Sequence, residues 1–160
     1  MPIAAALVAV VAAMAGLASN QRATQALIAK NQAVLSFTRA SDTYNYYQAK
    51  AIKEDVYVAT SAVGNPGAAA ALRKVAEHEH ASKATVLAQA RDLEKQADQD
   101  DDRSERLMHS HETIAIGVTF LEVAIVILSI SSLVGTVVLP VIAAAATLTG
   151  LGFAIAGWVT

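Results

Sequence analysis

The chain has 160 residues, of which 54% are hydrophobic, 5% aromatic and 16% charged, with a formal net charge of −2 at pH 7. All twelve Lys and Arg and thirteen of the fourteen Asp and Glu lie between Arg22 and Glu112, with Glu122 the exception, so two apolar regions bracket one polar region, as in a membrane protein with a single sizeable water-exposed part. That polar region is close to neutral, which argues against a nucleic-acid partner, and the absence of Cys excludes disulfides, thiol catalysis and thiolate zinc sites.

Residues 2–18 carry no charge and have about the shortest length that spans a bilayer. Gly16 and Ala18 resemble a signal-peptide cleavage site, but no positively charged region precedes the apolar run, so residues 1–19 read as a first transmembrane helix rather than a leader. Residues 20–62 contain neither Gly nor Pro and are rich in Ala, Gln, Lys and Leu. The helix is therefore expected to continue from membrane into water for ~65 Å. Gly64, Pro66 and Gly67 then end it, and a turn is expected at 63–68.

A second helix is expected from residue 68 to about residue 112. Leu72, Ala76, Glu79, Lys83, Val86, Ala90, Leu93, Ala97, Asp100, Ser104, Leu107, His111 and Ile114 recur along it in alternating steps of four and three. The two arms are of matching length, so residues 20–112 read as a water-exposed, coiled-coil-like antiparallel hairpin with residue i near residue 131 − i. That register sets Lys30 against Asp101, Arg39 against Asp92, Tyr44 against Val86 and Leu87, and Val56 against Val75. It also brings Asp55 within a turn of Arg73 and Lys74. The seam is alanine-rich and interrupted by charge, a weakly hydrophobic packing surface that further helices are expected to cover.

Residues 113–160 read as a transmembrane hairpin: a second span over 114–138, a tight turn at Leu139-Pro140 and a third span over 141–159. Span three sets Ala143, Thr147, Gly150, Ala154 and Gly157 on one face. Span two sets Ala115, Thr119, Glu122, Ser129 and Ser132 on one face, with Ile125 among them. Small residues at this spacing let membrane helices approach closely. Trp158 fits an interfacial anchor, and Arg22, Lys30, Arg103 and Arg106 flank the membrane on the stalk side only. By the positive-inside bias the stalk and the C-terminus are then cytoplasmic and the N-terminus external.

The block from Ala40 to Lys53, whose core is Tyr46-Tyr47-Gln48-Ala49-Lys50, resembles a bacterial membrane family catalogued as domain of unknown function four-three-three-seven. The start of the second span, Phe120-Leu121-Glu122-Val123-Ala124-Ile125, is similar to that family's pattern too. The resemblance implies an N-terminal span, a helical middle and two C-terminal spans in a bacterial inner (cytoplasmic) membrane, and it carries no catalytic or cofactor residue. Similar chains tend to have Trp at the position of Tyr44 and often Gln at that of Glu122.

Few residues carry chemistry. In Glu77-His78-Glu79-His80 the two His point to different helix faces. Glu77 and His80 have the spacing of carboxylate-bridged di-iron bundles, but such sites need two copies and further Glu residues, and only Glu54 lies near on the hairpin register. A solvated face, with no metal ligand, is the expectation. His109 and His111 fall where the second helix enters the membrane and read as anchors. Tyr44, Tyr46, Tyr47, Gln48 and Lys50 form an aromatic cluster halfway along the stalk, expected to pack helix on helix or to meet a partner protein. No Ser/His/Asp arrangement or Gly-rich phosphate loop is present, so neither a catalytic residue nor a cofactor is expected.

Glu122 lies ~13 Å into its span, near the bilayer midplane. An ionised carboxylate there costs at least ~2.5 kcal/mol, and no Lys or Arg lies in any span to pair with it. A protonated side chain donating a hydrogen bond within the helix packing is expected, with Thr119, Ser129 and Thr149 as neighbours; a proton-carrying site is the alternative. The chain thus reads as an all-α protein with three transmembrane helices and a long helical-hairpin stalk. Its expected role is a non-enzymatic scaffold or accessory subunit in the lipid bilayer, self-associating as a homo-oligomer or attached to a larger membrane complex. An oligomeric ion- or proton-conducting protein using Glu122 is the alternative, and a metal-binding stalk a remote third.

Overall fold

The computed structural model describes residues 2–159 as three helices: α1 (Pro2–Val63), α2 (Pro66–Val134) and α3 (Val138–Val159). No strand occurs among the described residues, and α1 and α2 run antiparallel about the expected turn. Pro66 does not interrupt α2 but begins it. The Asn65 side-chain carbonyl accepts the Ala68 N–H at 2.9 Å and its backbone carbonyl accepts the Ala69 N–H at 2.9 Å. Asn65 is thus the N-cap and Pro66 the first helical residue, where a missing N–H leaves nothing unsatisfied.

The second reversal lies earlier than Leu139-Pro140. Helix α2 ends at Val134, and Gly135 takes φ +68° while its N–H bonds the Ser131 carbonyl at 3.1 Å, a left-handed cap that a side chain would oppose. Pro140 sits in the first turn of α3, where its nitrogen would have no helical acceptor in any case.

The chain divides into two compact units, Met1–Ala29 with Asp102–Thr160, and Lys30–Asp101. In the first, α2 and α3 meet through glycine. A Cβ placed on Gly117 would lie 2.6 Å from the Gly150 carbonyl oxygen, and one on Gly157 would lie 2.7 Å from Ile114 Cγ1. Around this crossing Ile114, Leu121, Ala124 and Ala143 are fully enclosed, and the Phe120 and Phe153 rings lie parallel at 6.0 Å. Ser110 donates to the Gly157 carbonyl. Helix α1 contributes Ala12, Ser19 and Ala26, buried in steps of seven, and Ser104 donates to the Ala26 carbonyl at 2.9 Å.

Span three packs on its expected small face, but span two does not. Thr119, Glu122, Ser129 and Ser132 are exposed, and the buried stripe is Ile114, Gly117, Leu121, Ala124, Leu128 and Ser131. The reason is steric: Gly117 admits the α3 backbone, so the side of α2 that carries it turns inward. All three helices are long and apolar enough to cross a membrane, and in their most apolar stretches only 11%, 28% and 11% is buried within the chain. These surfaces need an apolar surround.

In the second unit, Ala33 and Ala40 on α1 and Ala76, Ala90 and Ala97 on α2 are buried. All the seam positions read from the sequence of α2 are buried or half-buried. Lys30 pairs with Asp101 as the mirror register requires. Arg39 and Asp92 form no ion pair; Asp92 instead accepts from Gln96 at 3.2 Å on its own helix.

Candidate functional site

Two places carry polar groups that packing alone does not explain. The first is the middle of the hairpin, where charged side chains occupy seam positions. Lys50 on α1 donates to Glu79 Oε2 at 2.7 Å and to Ser82 Oγ at 2.9 Å from α2. One turn on, Glu54 pairs with Lys83, and its Oε1 lies 2.8 Å from His80 Nδ1. The two lysine pairs are sheltered, with Lys50 and Glu79 12% and 16% exposed and Lys83 and Glu54 19% and 17%, against 54% and 41% for Lys30 and Asp101, whereas His80 stays open to solvent. Reduced solvent screening makes the sheltered pairs the stronger ones.

The electrostatics follow the hydrogen bonds. The Lys50 ammonium holds the Glu79 carboxyl below the usual carboxylate range, and Glu79 in turn raises Lys50. Lys83, with His80 beside it, lowers Glu54, while Glu54 raises Lys83. Each group is thereby fixed in its charged form, which suits a structural clamp and not acid–base exchange near neutral pH.

The aromatic cluster divides. The Tyr44 hydroxyl donates to Glu94 Oε2 at 2.8 Å, a bond that raises the phenol's pKa, so Tyr44 reaches past its expected neighbours Val86 and Leu87. Tyr47 is half-buried, whereas Tyr46 and Gln48 are exposed, with Lys50 Nζ 5.2 Å from the centre of the Tyr46 ring. Lys50 therefore joins the two halves, reaching Tyr46 and the acidic side of α2 at once. Glu54, Glu77 and His80 line a common groove of ≈ 490 Å³ with Arg73 and Ser61. Among the described residues no group of three or more His, Asp or Glu is placed to hold a metal ion.

The second place is Glu122. Its side chain is exposed on the apolar part of α2 and has no hydrogen bond or ion pair among the described residues. The neighbours expected for it are occupied elsewhere: Thr119, Ser129 and Thr149 donate to their own helix carbonyls at Ala115, Ile125 and Ala145. The Gln48 and Tyr46 surfaces and Glu122 are thus open, while Tyr44 and Lys50 are committed within the hairpin.

The Glu54–Lys83 and Tyr44–Glu94 contacts were not assigned from the sequence. The signal for the first was the presence of Glu79 and Lys83 at seam positions, since charges there need partners across the seam. No comparable signal marks Glu94, which a long Tyr side chain reaches from more than a turn away.

The family described as Domain of unknown function (DUF4337) matches residues 2–160, and the chain belongs to that family. Neither the curated proteins nor the solved structures include a match to the chain.

Proposed function

We propose that this family member is a non-enzymatic, multi-pass scaffold or accessory subunit of the bacterial inner (cytoplasmic) membrane, its helical hairpin cytoplasmic, and that it self-associates through the face of α2 that carries Glu122. The observation behind this is the exposed Glu122 carboxylate, without a partner among the described residues, in the otherwise uncharged stretch of α2 over residues 113–134. Ionisable side chains within a membrane face protein or water rather than lipid, because lipid offers them no partner. A second copy of α2 presents the same carboxyl at the same depth, with Thr119 one turn away, so the Glu122 carboxyl finds a hydrogen-bonding partner across a two-fold contact. The hairpin supports the same reading, since Val34, Leu35, Phe37, Ile52 and Val56 of α1 are each half or more exposed.

Native mass in mild detergent tests this directly. The unmodified chain and Glu122→Gln are expected to run as oligomers, and Glu122→Leu to shift toward monomer by roughly fivefold in association constant, the worth of one interhelical hydrogen bond. A monodisperse monomer from the unmodified chain would overturn self-association, and stable co-purification of another membrane protein would replace the second copy with a larger complex. The same residue supports a second reading, an oligomer that conducts protons or ions. Proton flux in liposomes that Glu122→Gln abolishes would establish that alternative, because Gln keeps the hydrogen bond but exchanges no proton.

A further inference from the structure

Beside α1 in the membrane-facing unit, two cavities share residues. One is an apolar groove of ≈ 360 Å³ whose lining includes Met14, Ala15, Ile114, Leu151 and Ile155. The other, ≈ 300 Å³, is lined by Gln21, Arg22 and Gln25. Ala18 and Trp158 belong to both, so an apolar slot in the spans adjoins a polar cup where α1 leaves its apolar stretch.

Among the described residues the cup is rich in donors and has no Asp or Glu in its lining. Among the described residues the Arg22 guanidinium has no carboxylate partner, and the Gln21 and Gln25 amides and the Trp158 indole N–H have no hydrogen-bond acceptor. Arg22 is half-buried, so its charge is not fully hydrated, and no Asp or Glu lines either cavity. An arginine fork flanked by neutral donors suits a phosphate, which accepts two parallel N–H bonds. The groove, at the lower end of ligand-pocket volumes, suits one hydrocarbon chain. Trp at the junction matches the depth at which headgroup and acyl region meet.

We propose that these joined cavities form a binding site for one anionic phospholipid, its phosphate on Arg22, Gln21 and Gln25 and an acyl chain in the groove bounded by Met14, Leu151 and Trp158. The site rests on the membrane insertion of the spans but not on self-association. A bound lipid there ties the end of α3 to α1 by covering apolar surface that the chain itself leaves open, and basic pockets at this depth select anionic headgroups.

The test is native mass spectrometry of the full chain released from mild detergent, with phosphatidylglycerol or phosphatidylcholine of the same acyl composition added in turn. One phosphatidylglycerol per chain is expected to be retained, about fivefold better than phosphatidylcholine, the discrimination one basic residue supplies at an anionic headgroup. Arg22→Gln, which preserves length and polarity, is expected to remove that preference while leaving helix content unchanged. Equal retention of the two lipids, or an undiminished preference in Arg22→Gln, overturns the proposal. Displacement of the lipid by inorganic phosphate at the same concentration also overturns it, since the groove then contributes nothing. The same spectra report oligomeric state, so a monomer that keeps its phosphatidylglycerol sinks self-association and leaves the lipid site standing. Release of the chain from membranes by alkaline extraction sinks membrane insertion on its own.

Discussion

Gly117 and Gly150 face each other backbone to backbone: a Cβ on either would lie 2.6–2.7 Å from the other's carbonyl oxygen. No side-chain rotation relieves such a contact, because the obstructing atoms are main-chain. Gly117→Ala or Gly150→Ala must therefore push α2 and α3 apart, at about 1–3 kcal/mol as in overpacked cores. Gly152 is the internal control, since a Cβ there meets nothing within 4 Å. Gly152→Ala is expected to be neutral or stabilising by up to ~1 kcal/mol through helix propensity. Thermal unfolding in detergent, followed by Trp158 fluorescence, should separate the two classes; equal behaviour at 117 and 152 would refute the close crossing.

The clamp in the hairpin gives a pH dependence of definite sign. Glu54 and Glu79 are held below the usual carboxylate range by Lys83 and Lys50, so their contribution is in place above that range, about 4–4.5, and fades as pH falls through the lowered values. Lys50 and Lys83 are raised, so their contribution is complete below the usual lysine range and is lost as pH rises through the raised values. Stability is therefore expected to form a plateau across neutral pH with loss at both ends. In Glu54→Gln/Glu79→Gln both slopes should flatten, as read from helical ellipticity on heating at several pH values. An unchanged acid slope in that variant would place the responsible carboxylates elsewhere.

The register makes a covalent prediction. Ala40 and Ala90 are both buried on the facing seams of α1 and α2, and they sit one residue from the mirror relation that pairs Lys30 with Asp101. Ala40→Cys/Ala90→Cys is expected to crosslink within a single chain under mild oxidation, in a sequence that has no other Cys. Crosslinking only between chains would mean that the hairpin is exchanged between copies.

Why some of this was legible in the residues and some was not has a physical reading. The long helices and the first turn follow from local chemistry: forty-three positions without Gly or Pro, then Gly64, Pro66 and Gly67 together. The seam of α2 was legible because a heptad period survives whatever packs on it. The packing face of span two was misjudged because Ala115, Thr119 and Ser129 are small in the same way as Gly117, and only the partner's backbone decides which small residue is closest. The second reversal was misplaced for a similar reason, since Pro140 is tolerated in a first helical turn while Gly135, alone among the described residues, takes a positive φ. The Tyr cluster was visible as composition, but its division between Glu94 and the exposed side depends on side-chain reach.

Ser19 and His111 tie α1 to α2 where both enter the apolar region, and their geometry fixes a tautomer. His111 Nδ1 lies 2.8 Å from Ser19 Oγ and 3.0 Å from the Ser19 carbonyl oxygen, and Ser19 Oγ lies 3.1 Å from the His111 carbonyl oxygen. A carbonyl oxygen cannot donate, so an unprotonated Nδ1 would face a lone pair at hydrogen-bond distance. With the proton on Nδ1 the ring donates toward Ser19, and the Ser19 hydroxyl donates to the His111 carbonyl, so both protons between the two residues have an acceptor. Ser19 is buried, so Ser19→Ala should remove the hydroxyl's bond to the His111 carbonyl while the residue-19 carbonyl still accepts from Nδ1, at a cost of about 0.5–1.5 kcal/mol. His111→Asn, whose amide can donate at the Nδ1 position, should recover part of that stability relative to His111→Leu. The sharper check is the nitrogen NMR spectrum of labelled histidine in the full chain above the range where imidazole protonates. The His111 signal is expected to show the proton on Nδ1. A signal with the proton on Nε2 would mean that the clamp is not formed.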